Sequence, residues 1–194
     1  RGAREVLVQE MRADGLSSYK ADIAAAVLCL MLGGVDEANC LVVPHARSQP
    51  TAYGGMPITN SPVKQEAKYC KHLVHRIEGL NPGEDGVGFY NSIGWLKQSL
   101  PTDQSHAIYP RLREAAERLA PAAAGFGCGE ARAALRTMGP ERWLPRSFIG
   151  LCEQAVEFED GELMAFCGAV QTEELLLLFE HVTYTEALEV EVVA

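Results

Sequence analysis

The sequence predicts an all-α protein, a compact bundle or a short solenoid of about seven to eight helices arranged in hairpins. Apolar residues recur every three to four positions through most of the chain, which is the spacing of a buried helix face. Clusters of proline and glycine divide this pattern into helix-sized segments and form two long loops. No stretch alternates apolar and polar residues for long enough to require a sheet, and only 189–193 could form one short terminal strand.

Composition excludes several classes of protein. Of the 194 residues, 47% are hydrophobic and 22% charged, which is typical of globular proteins and predicts a single helical domain over 1–194. The net charge of −9 argues against nucleic-acid binding, because neutralising phosphates requires clustered lysine and arginine. The longest apolar run, 23–32, is about half of the roughly 20 residues that cross a bilayer, so no membrane span is predicted.

The first predicted helix begins at a serine cap, Ser17 or Ser18, and continues through Leu32. Serine at this position accepts a hydrogen bond from an otherwise unpaired backbone N–H in the first turn. Gly33 and Gly34 then provide the residues that commonly end a helix.

A short second helix is predicted from Asp36, as its cap, to Pro44, because proline lacks the N–H that a helix interior needs. The short connection between the two helices predicts an antiparallel hairpin. The next segment, 44–62, contains too many prolines and glycines for a regular element and is predicted to be a long surface loop. Three apolar side chains could anchor this loop, namely Tyr53, Met56 and Ile58.

Ser61, followed by proline, predicts the start of a third helix, and Gly79 is predicted to cap its C-terminus. A second glycine-rich loop is predicted over 79–88. The helix after that loop carries several aromatic residues and should end before Pro101.

Four further helices are predicted in the second half of the chain, over 110–119, 130–138, 146–158 and 161–185. The first of these carries Arg113, Glu114 and Arg118 on its expected solvent side. Glu114 and Arg118 are four residues apart, which allows an ion pair along the helix.

The cysteines show no C-x-x-C pair and no tight cluster. A zinc site would normally place paired ligands two to four residues apart, and a chain of this length needs no disulfides for its core. Buried free thiols are therefore predicted, with disulfides as the alternative, since cysteine packs as a small apolar side chain. The six are Cys29, Cys40, Cys70, Cys128, Cys152 and Cys167.

The densest polar cluster lies in the third predicted helix and consists of His72, His75, Arg76 and Glu78. Two histidines three residues apart can bind a metal ion if another element supplies a third ligand. Candidates for that ligand are His45, Glu84 and Asp85. The zinc-protease spacing of i,i+4 with an intervening Glu is absent. The favoured interpretation is structural, with His75, Arg76 and Glu78 holding the adjoining loops through hydrogen bonds and ion pairs.

Two other features give weaker signals. The glycine-rich stretch 83–88 lacks the Lys-Ser/Thr of a phosphate loop, and its two acids would repel phosphate, so no nucleotide site is predicted there. Trp95 and Trp143 recur at helical positions and are expected in the core. If exposed, they would instead mark a protein interface.

Several segments resemble, in order, the motifs of an uncharacterised family of helical proteins. Residues 69–79 and 91–95 are similar to its Y-W-H-x-x-x-H-R-R-E-G-D and N-A-x-Y-W motifs. Residues 35–39 resemble L-D-x-A-H, 143–153 resemble W-D-P-x-x-F-V-D-L-C-E, and 171–179 resemble Q-x-x-E-W-x-x-L-F. The resemblance covers about two thirds of the chain and implies a divergent member with an all-helical fold.

The departures from these motifs fall on polar or aromatic positions. Here the chain has Asn39 for His, Cys70 for Trp, Lys71 for His, Leu144 for Asp, Gly150 for Asp and Leu175 for Trp. The family's H-x-x-x-H pair is thus broken at Lys71. The resemblance therefore implies that any metal or catalytic site of the family has been lost while the packing residues remain, a pattern that suits a binding scaffold.

Two functional hypotheses follow. The first is a non-enzymatic interaction protein without a cofactor, an accessory (supernumerary) subunit of a larger organellar protein complex. Its structural or interaction residues would be His75, Arg76, Glu78, Asn91, Trp95 and Trp143. The alternative is a metal-dependent enzyme or small-molecule-binding protein using His72, His75, Arg76 and Glu78, with His75 as ligand or general base and Arg76 as an anion clamp.

The expected partners are other protein subunits, bound through the long loops, the acidic surface or the apolar run 175–179. Peripheral attachment to a membrane complex is compatible with this hypothesis. The start at Arg1 favours a mature N-terminus left by removal of a presequence over an arbitrary boundary. This predicts a mitochondrial location, with plastid or cytoplasm as alternatives.

Overall fold

The computed structural model describes residues 3–13, 16–52, 55–81, 87–100, 106–120, 126–138 and 142–191. Throughout these ranges the regular structure is helical and there is no β-strand, so the predicted all-α fold is confirmed. Nine helices follow one another in the described ranges: α1 Ala3–Ala13, α2 Ser18–Met31, α3 Val35–Ala46, α4 Lys64–Leu80, α5 Val87–Ser99, α6 Tyr109–Leu119, α7 Phe126–Met138, α8 Pro145–Glu157 and α9 Gly161–Glu191.

The helices close into a bundle because α9 lies against four other helices, α2, α6, α7 and α8. Helix α4 also contacts α8, across the bundle. In a solenoid each unit would contact only its neighbours in sequence. The bundle alternative is therefore correct and the solenoid wrong. The core is most enclosed along α2, where 23–27 are fully buried.

The first helix of the predicted hairpin has the expected ends. The Ser17 hydroxyl accepts a hydrogen bond from the Lys20 backbone N–H, at 3.5 Å. Gly33 adopts a left-handed conformation with φ of 81°, which glycine tolerates without strain. The Gly34 N–H then donates to the Cys29 carbonyl at 2.7 Å, which satisfies the end of α2.

Both predicted ends of α3 are wrong. The helix begins one residue before Asp36, with Gly34 at the cap position, and Asp36 lies in the first turn, where its charge favours the helix N-terminus. Pro44 lies inside the helix, which continues to Ala46. Because Pro44 falls in the last turn, it removes only a terminal hydrogen bond, and its own carbonyl accepts one from the Ile58 N–H at 2.8 Å.

Helix α4 also departs from its predicted ends. It begins at Lys64, not at Ser61, because the Ser61 hydroxyl bonds the His45 ring at 2.9 Å instead of capping a helix. Gly79 is not the C-terminal cap, since α4 continues to Leu80.

Glycines mark the point where α4 and α5 cross. A Cβ on Gly88 would lie 2.7 Å from both the Gly79 Cα and the His75 carbonyl oxygen. A Cβ on Gly79 would lie 2.9 Å from the Phe89 ring. The absence of side chains at these two positions therefore allows the helix backbones to approach directly. Most of the loop predicted between the helices, 82–86, lies outside the described residues.

The remaining predicted helices agree with the structure except at the start of α7 and the end of α9. Helix α1 was not predicted, and α7 begins at Phe126, earlier than expected. Helix α9 continues through Glu191, so the strand predicted over 189–193 is wrong for 189–191. Residues 192–194 lie outside the described part of the chain.

The charged face of α6 is partly buried, contrary to prediction. Arg113 is only 4% exposed and donates to a backbone carbonyl of α7 at 2.9 Å. It also pairs with Glu117 at 2.8 Å. Arg118 reaches Glu173 on α9 at 3.5 Å, so the predicted pair with Glu114 is replaced by a contact between helices. Packing of α7 and α9 on α6 explains both differences.

The apolar run on α9 belongs to this chain's own core. Leu175, Leu177 and Leu178 are buried, while Leu176 is 41% exposed. Most of the run is thus already covered and does not provide the interface that was expected for it. Over the described part of the chain, no helix combines the length and apolar content needed to cross a membrane.

Candidate functional site

A buried ion pair joins α4 to α9 at the centre of the polar cluster. Arg76 and Glu174 are both completely buried, and the Arg76 Nη2 donates to Glu174 Oε2. The Arg76 Nε donates to the Gln171 Oε1 at 2.9 Å, and the Tyr69 hydroxyl donates to the second carboxylate oxygen of Glu174. Burial alone would lower the pKa of Arg76, but the adjacent Glu174 outweighs it and the pKa is raised. Arg76 therefore stays charged in the interior and paired with Glu174.

An aromatic ring packs against this guanidinium. The Arg76 Cζ lies 4.9 Å from the centre of the Phe148 ring, a cation–π distance. Phe148 in turn packs against Trp143, with ring centres 5.0 Å apart. Trp143 is 3% exposed, so it is a core residue and not part of an exposed aromatic interface.

His72 forms a second buried contact, between α4 and α5. The Ser92 hydroxyl donates to the His72 carbonyl at 3.0 Å, which leaves the Ser92 Oγ to accept from the His72 Nδ1 at 2.7 Å. This arrangement fits a neutral ring protonated at Nδ1. Burial first, and then the charge of Arg76, hold the pKa of His72 well below its usual range. The other ring nitrogen, Nε2, has no hydrogen-bond partner within the described residues.

His75 pairs within its own helix and not with His72. Its Nδ1 lies 2.5 Å from the Glu78 Oε2, and both side chains are partly exposed. Burial and the nearby Lys71 lower the pKa of His75 despite the opposing effect of Glu78. His72 and His75 thus have separate partners, Ser92 and Glu78.

The candidate metal ligands that lie in the described part of the chain do not come together at one site. Across the described side chains, no group of three or more His, Cys, Asp and Glu has the arrangement of a metal site. His45 instead lies between Asp22, at 3.2 Å, and Ser61. Glu84 and Asp85, the two loop carboxylates considered as third ligands, lie outside the described residues.

The cysteines whose side chains are described are free thiols, as predicted. Four are buried and Cys40 is half-buried, whereas the side chain of Cys128 lies outside the described residues. Burial raises the pKa of Cys70, and a hydrogen bond with Cys152 is the largest cause of the raised pKa of Cys167. Cys70 and Cys167 are therefore protonated core side chains at neutral pH.

A group of rings in contact extends the buried cluster toward α6 and α9. The His106 ring lies 4.7 Å from the Tyr69 ring and 5.1 Å from the His181 ring. The His106 Nδ1 accepts a hydrogen bond from the Ile108 N–H at 3.3 Å, which requires that this nitrogen carry no proton. Burial, and then His181, lower the pKa of His106 to about 4.

We expect acid to destabilise the fold through these histidines. Between pH 6.5 and about 4, the unfolded chain binds a proton at His106 that the folded chain does not, so the free energy of unfolding falls by up to about 1.4 kcal/mol per pH unit. His72 acts in the same direction. Urea unfolding at about pH 7 and about pH 5 should show a smaller loss for His106→Phe than for the wild type. An equal loss in both would contradict this assignment.

A cationic cleft lies beside the first half of α4, which contributes Lys64 and Lys68 to its lining. We use this name for the cavity of about 560 Å3 between the end of α3, α4 and α5, which includes Arg47, Lys64, Lys68 and Lys97 in its lining. Among the described residues that line it, none is acidic. Asn91 and Trp95, both predicted as interaction residues, also line this cleft. A second cavity, between α6 and α9, has a mixed lining that includes Arg111 and Glu180, which pair at 2.7 Å.

The cationic cleft was not predicted, although the spacing of the lysines in the sequence indicates a basic helix face. Lys64, Lys68 and Lys71 follow one another at i, i+4 and i+7, which places them on one side of a helix. Four of the chain's five lysines lie at or beneath the cleft. The partners of Arg76, by contrast, lie more than 90 residues away and carry no local signal.

None of the sequence-predicted cluster lines the two cavities described above. Arg76 and His72 are buried, while His75 and Glu78 pair with each other and line neither cavity. The resemblance to a helical family stays a prediction. Comparison of the chain with models of known families, with curated proteins and with solved structures finds no match.

Proposed function

We propose that this chain is a non-catalytic interaction protein, an accessory subunit of a larger protein assembly in an organelle. The organelle proposed first is the mitochondrion, with the plastid as the alternative. We further propose that it docks through its first long loop, 47–63. The observation that carries this proposal is that the described parts of the loop, 47–52 and 55–63, are held by hydrogen bonds and yet present a large apolar side chain to solvent.

Three sets of hydrogen bonds restrain the described part of this loop. Thr51 and Gly55 exchange two backbone hydrogen bonds, of 3.2 and 3.0 Å. Ile58 is joined to the end of α3 by the 2.8 Å bond to the Pro44 carbonyl. Ser61 is joined to the buried His45 ring, which also bonds Asp22 on α2. The described parts of the loop therefore need little further ordering to bind a partner.

Met56 lies between these restraints and is 75% exposed. Burying a methionine side chain contributes about 1.5–3 kcal/mol, and its flexible thioether adapts to irregular surfaces. A restrained loop with an exposed methionine fits a protein-binding segment.

Burial of the polar cluster supports a non-catalytic role for Arg76 and His72, which were candidates for an enzyme or metal site. A substrate could reach Arg76 or His72 only if α4 separated from α9 or α5, because both side chains are buried at those contacts. Their hydrogen bonds join helices to one another. This arrangement supports the structural role predicted for Arg76.

Substitution of Met56 tests the proposal. We expect Met56→Ser to weaken association with the native assembly by about tenfold or more, which corresponds to the loss of its apolar burial. The matched control is Phe158→Ser, since Phe158 is 64% exposed in the turn between α8 and α9. Tagged variants should be isolated from the source organelle under native conditions, with the size and composition of the complex measured. A photo-cross-linking residue at position 56, and another at 158, should identify the neighbour.

The proposal requires that the wild-type chain migrate with a larger complex and cross-link to another subunit from position 56. A wild-type chain that is isolated as a monomer would contradict it. Equal weakening by Met56→Ser and Phe158→Ser would contradict the assignment of the loop.

A further inference from the structure

The cationic cleft concentrates positive charge on an acidic protein. The whole chain has a net charge of −9, yet four basic side chains and no acidic one line this cavity in the described structure. Like charges gathered at one site repel each other, and a bound anion would relieve that repulsion. We propose that this cleft binds a compact polyanion, a small molecule that carries two or more phosphate groups. This inference goes beyond the docking loop and does not depend on it.

The cations come from different elements and surround the cavity. Lys64 and Lys68 lie one turn apart on α4, Lys97 lies on α5, and Arg47 follows the end of α3. The Lys68 Nζ donates to the Gln98 carbonyl of α5 at 3.0 Å, which places this ammonium group across the junction of the two helices. An ammonium group has three N–H donors, so Lys68 can donate to a ligand while keeping this bond.

The floor of the cleft adds a further positive charge and an aromatic ring. The Arg47 Cζ lies 5.3 Å, and the Lys71 Nζ 5.5 Å, from the centre of the Trp95 ring. Lys71 is buried and donates to the Asn39 Oδ1 at 2.5 Å. Burial lowers its pKa to about 8; the charge of Glu78 opposes this shift and that of Arg47 adds to it more weakly, so Lys71 remains largely charged at neutral pH. Neighbouring Lys64 likewise adds to the effect of burial in lowering the pKa of Lys68.

The size of the cleft favours a small molecule over a protein segment. Its volume of about 560 Å3 falls in the range of roughly 300–1,000 Å3 typical of small-molecule sites. Each phosphate group carries up to two negative charges and three acceptor oxygens, so two or three groups can satisfy four cations within this space. An acidic peptide supplies one charge per carboxylate and would need a longer groove.

Titration calorimetry with inorganic tripolyphosphate tests the inference on the intact chain. We expect one molecule to bind per chain, and at least about tenfold weaker binding by Lys68→Gln/Lys97→Gln, since two of the contacts would be lost. The control, Lys20→Gln/Arg146→Gln, removes the same amount of charge away from the cleft and should bind like the wild type. Unfolding curves of both variants establish that each is folded.

A second measurement locates the ligand by fluorescence. Trp95 lines the cleft, whereas Trp143 is buried against Phe148, so tripolyphosphate should change the emission of Trp95. The change should disappear in Trp95→Phe and persist in Trp143→Phe. Absence of binding, or equal weakening of binding in the two double variants, would overturn the inference. Tighter binding of hexaglutamate than of tripolyphosphate would also overturn it and indicate an acidic protein segment instead.

Discussion

Replacing Glu174 with alanine should lower the free energy of unfolding by about 3–5 kcal/mol. The substitution leaves the guanidinium of Arg76 fully buried without its carboxylate, and a lone charge in a protein interior is costly. It also removes the acceptor of the Tyr69 hydroxyl. For a chain of this length the melting temperature should fall by roughly 6–20 °C.

The neighbouring residue provides a control on the same helix. Glu173 pairs with Arg118 at 3.5 Å on the surface, where such pairs contribute less than about 1 kcal/mol, so Glu173→Ala should have a small effect. The double variant Arg76→Met/Glu174→Leu should recover about half of the loss or more, because it removes both charges together. Urea unfolding followed by circular dichroism measures all three. Similar losses for Glu173→Ala and Glu174→Ala would show that the buried pair is not the main stabilising contact.

The second large effect is expected at the crossing of α4 and α5. Gly88→Ala should lower the free energy of unfolding by about 2–3 kcal/mol, because the new methyl group would overlap backbone atoms of α4 that cannot rotate away. The two helices would have to separate, and the packing of Phe89 against Gly79 would change with them.

Gly94 on the same helix is the matched control for this substitution. A Cβ at Gly94 meets no atom within 4 Å, so Gly94→Ala should stabilise the chain by about 0.5–1 kcal/mol through its higher helix propensity. The two alanine variants should thus shift the urea midpoint in opposite directions. A Gly88→Ala protein as stable as the wild type would contradict the close approach of the backbones.

Local sequence signals predicted helix positions better than helix ends. Ser17 and Gly33 act as predicted, because a serine cap and a left-handed glycine need only the atoms of their own helix end. Ser61, Gly79 and Pro44 were misassigned because each serves a tertiary contact, with His45, Phe89 and Ile58 respectively. A residue typical of helix ends therefore does not mark one when a residue distant in sequence bonds to the same atom or packs into the same space.

The sequence predicted the members of the polar cluster but not the partners that two of them have on other helices. The helical spacing of His72, His75, Arg76 and Glu78 is visible in the sequence, and His75 with Glu78 does form a local pair. The partners of the other two are contributed by α5 and α9. Burial of Arg113, and the enclosure of the run at 175–179, likewise depend on which helices pack together. Such pairings follow from the closed bundle and not from any one segment.

The long separation between Arg76 and Glu174 has a consequence for synthesis of the chain. Arg76 is translated 98 residues before its carboxylate partner, an interval of roughly 5–20 s at ordinary rates of elongation. During that time α2 to α5 can form contacts with one another, but the Arg76 side chain stays in water because burying it alone is costly. One side of α4 therefore remains open on the ribosome until α9 has emerged. A nascent chain that stalls before α9 would present this open side to chaperones and proteases.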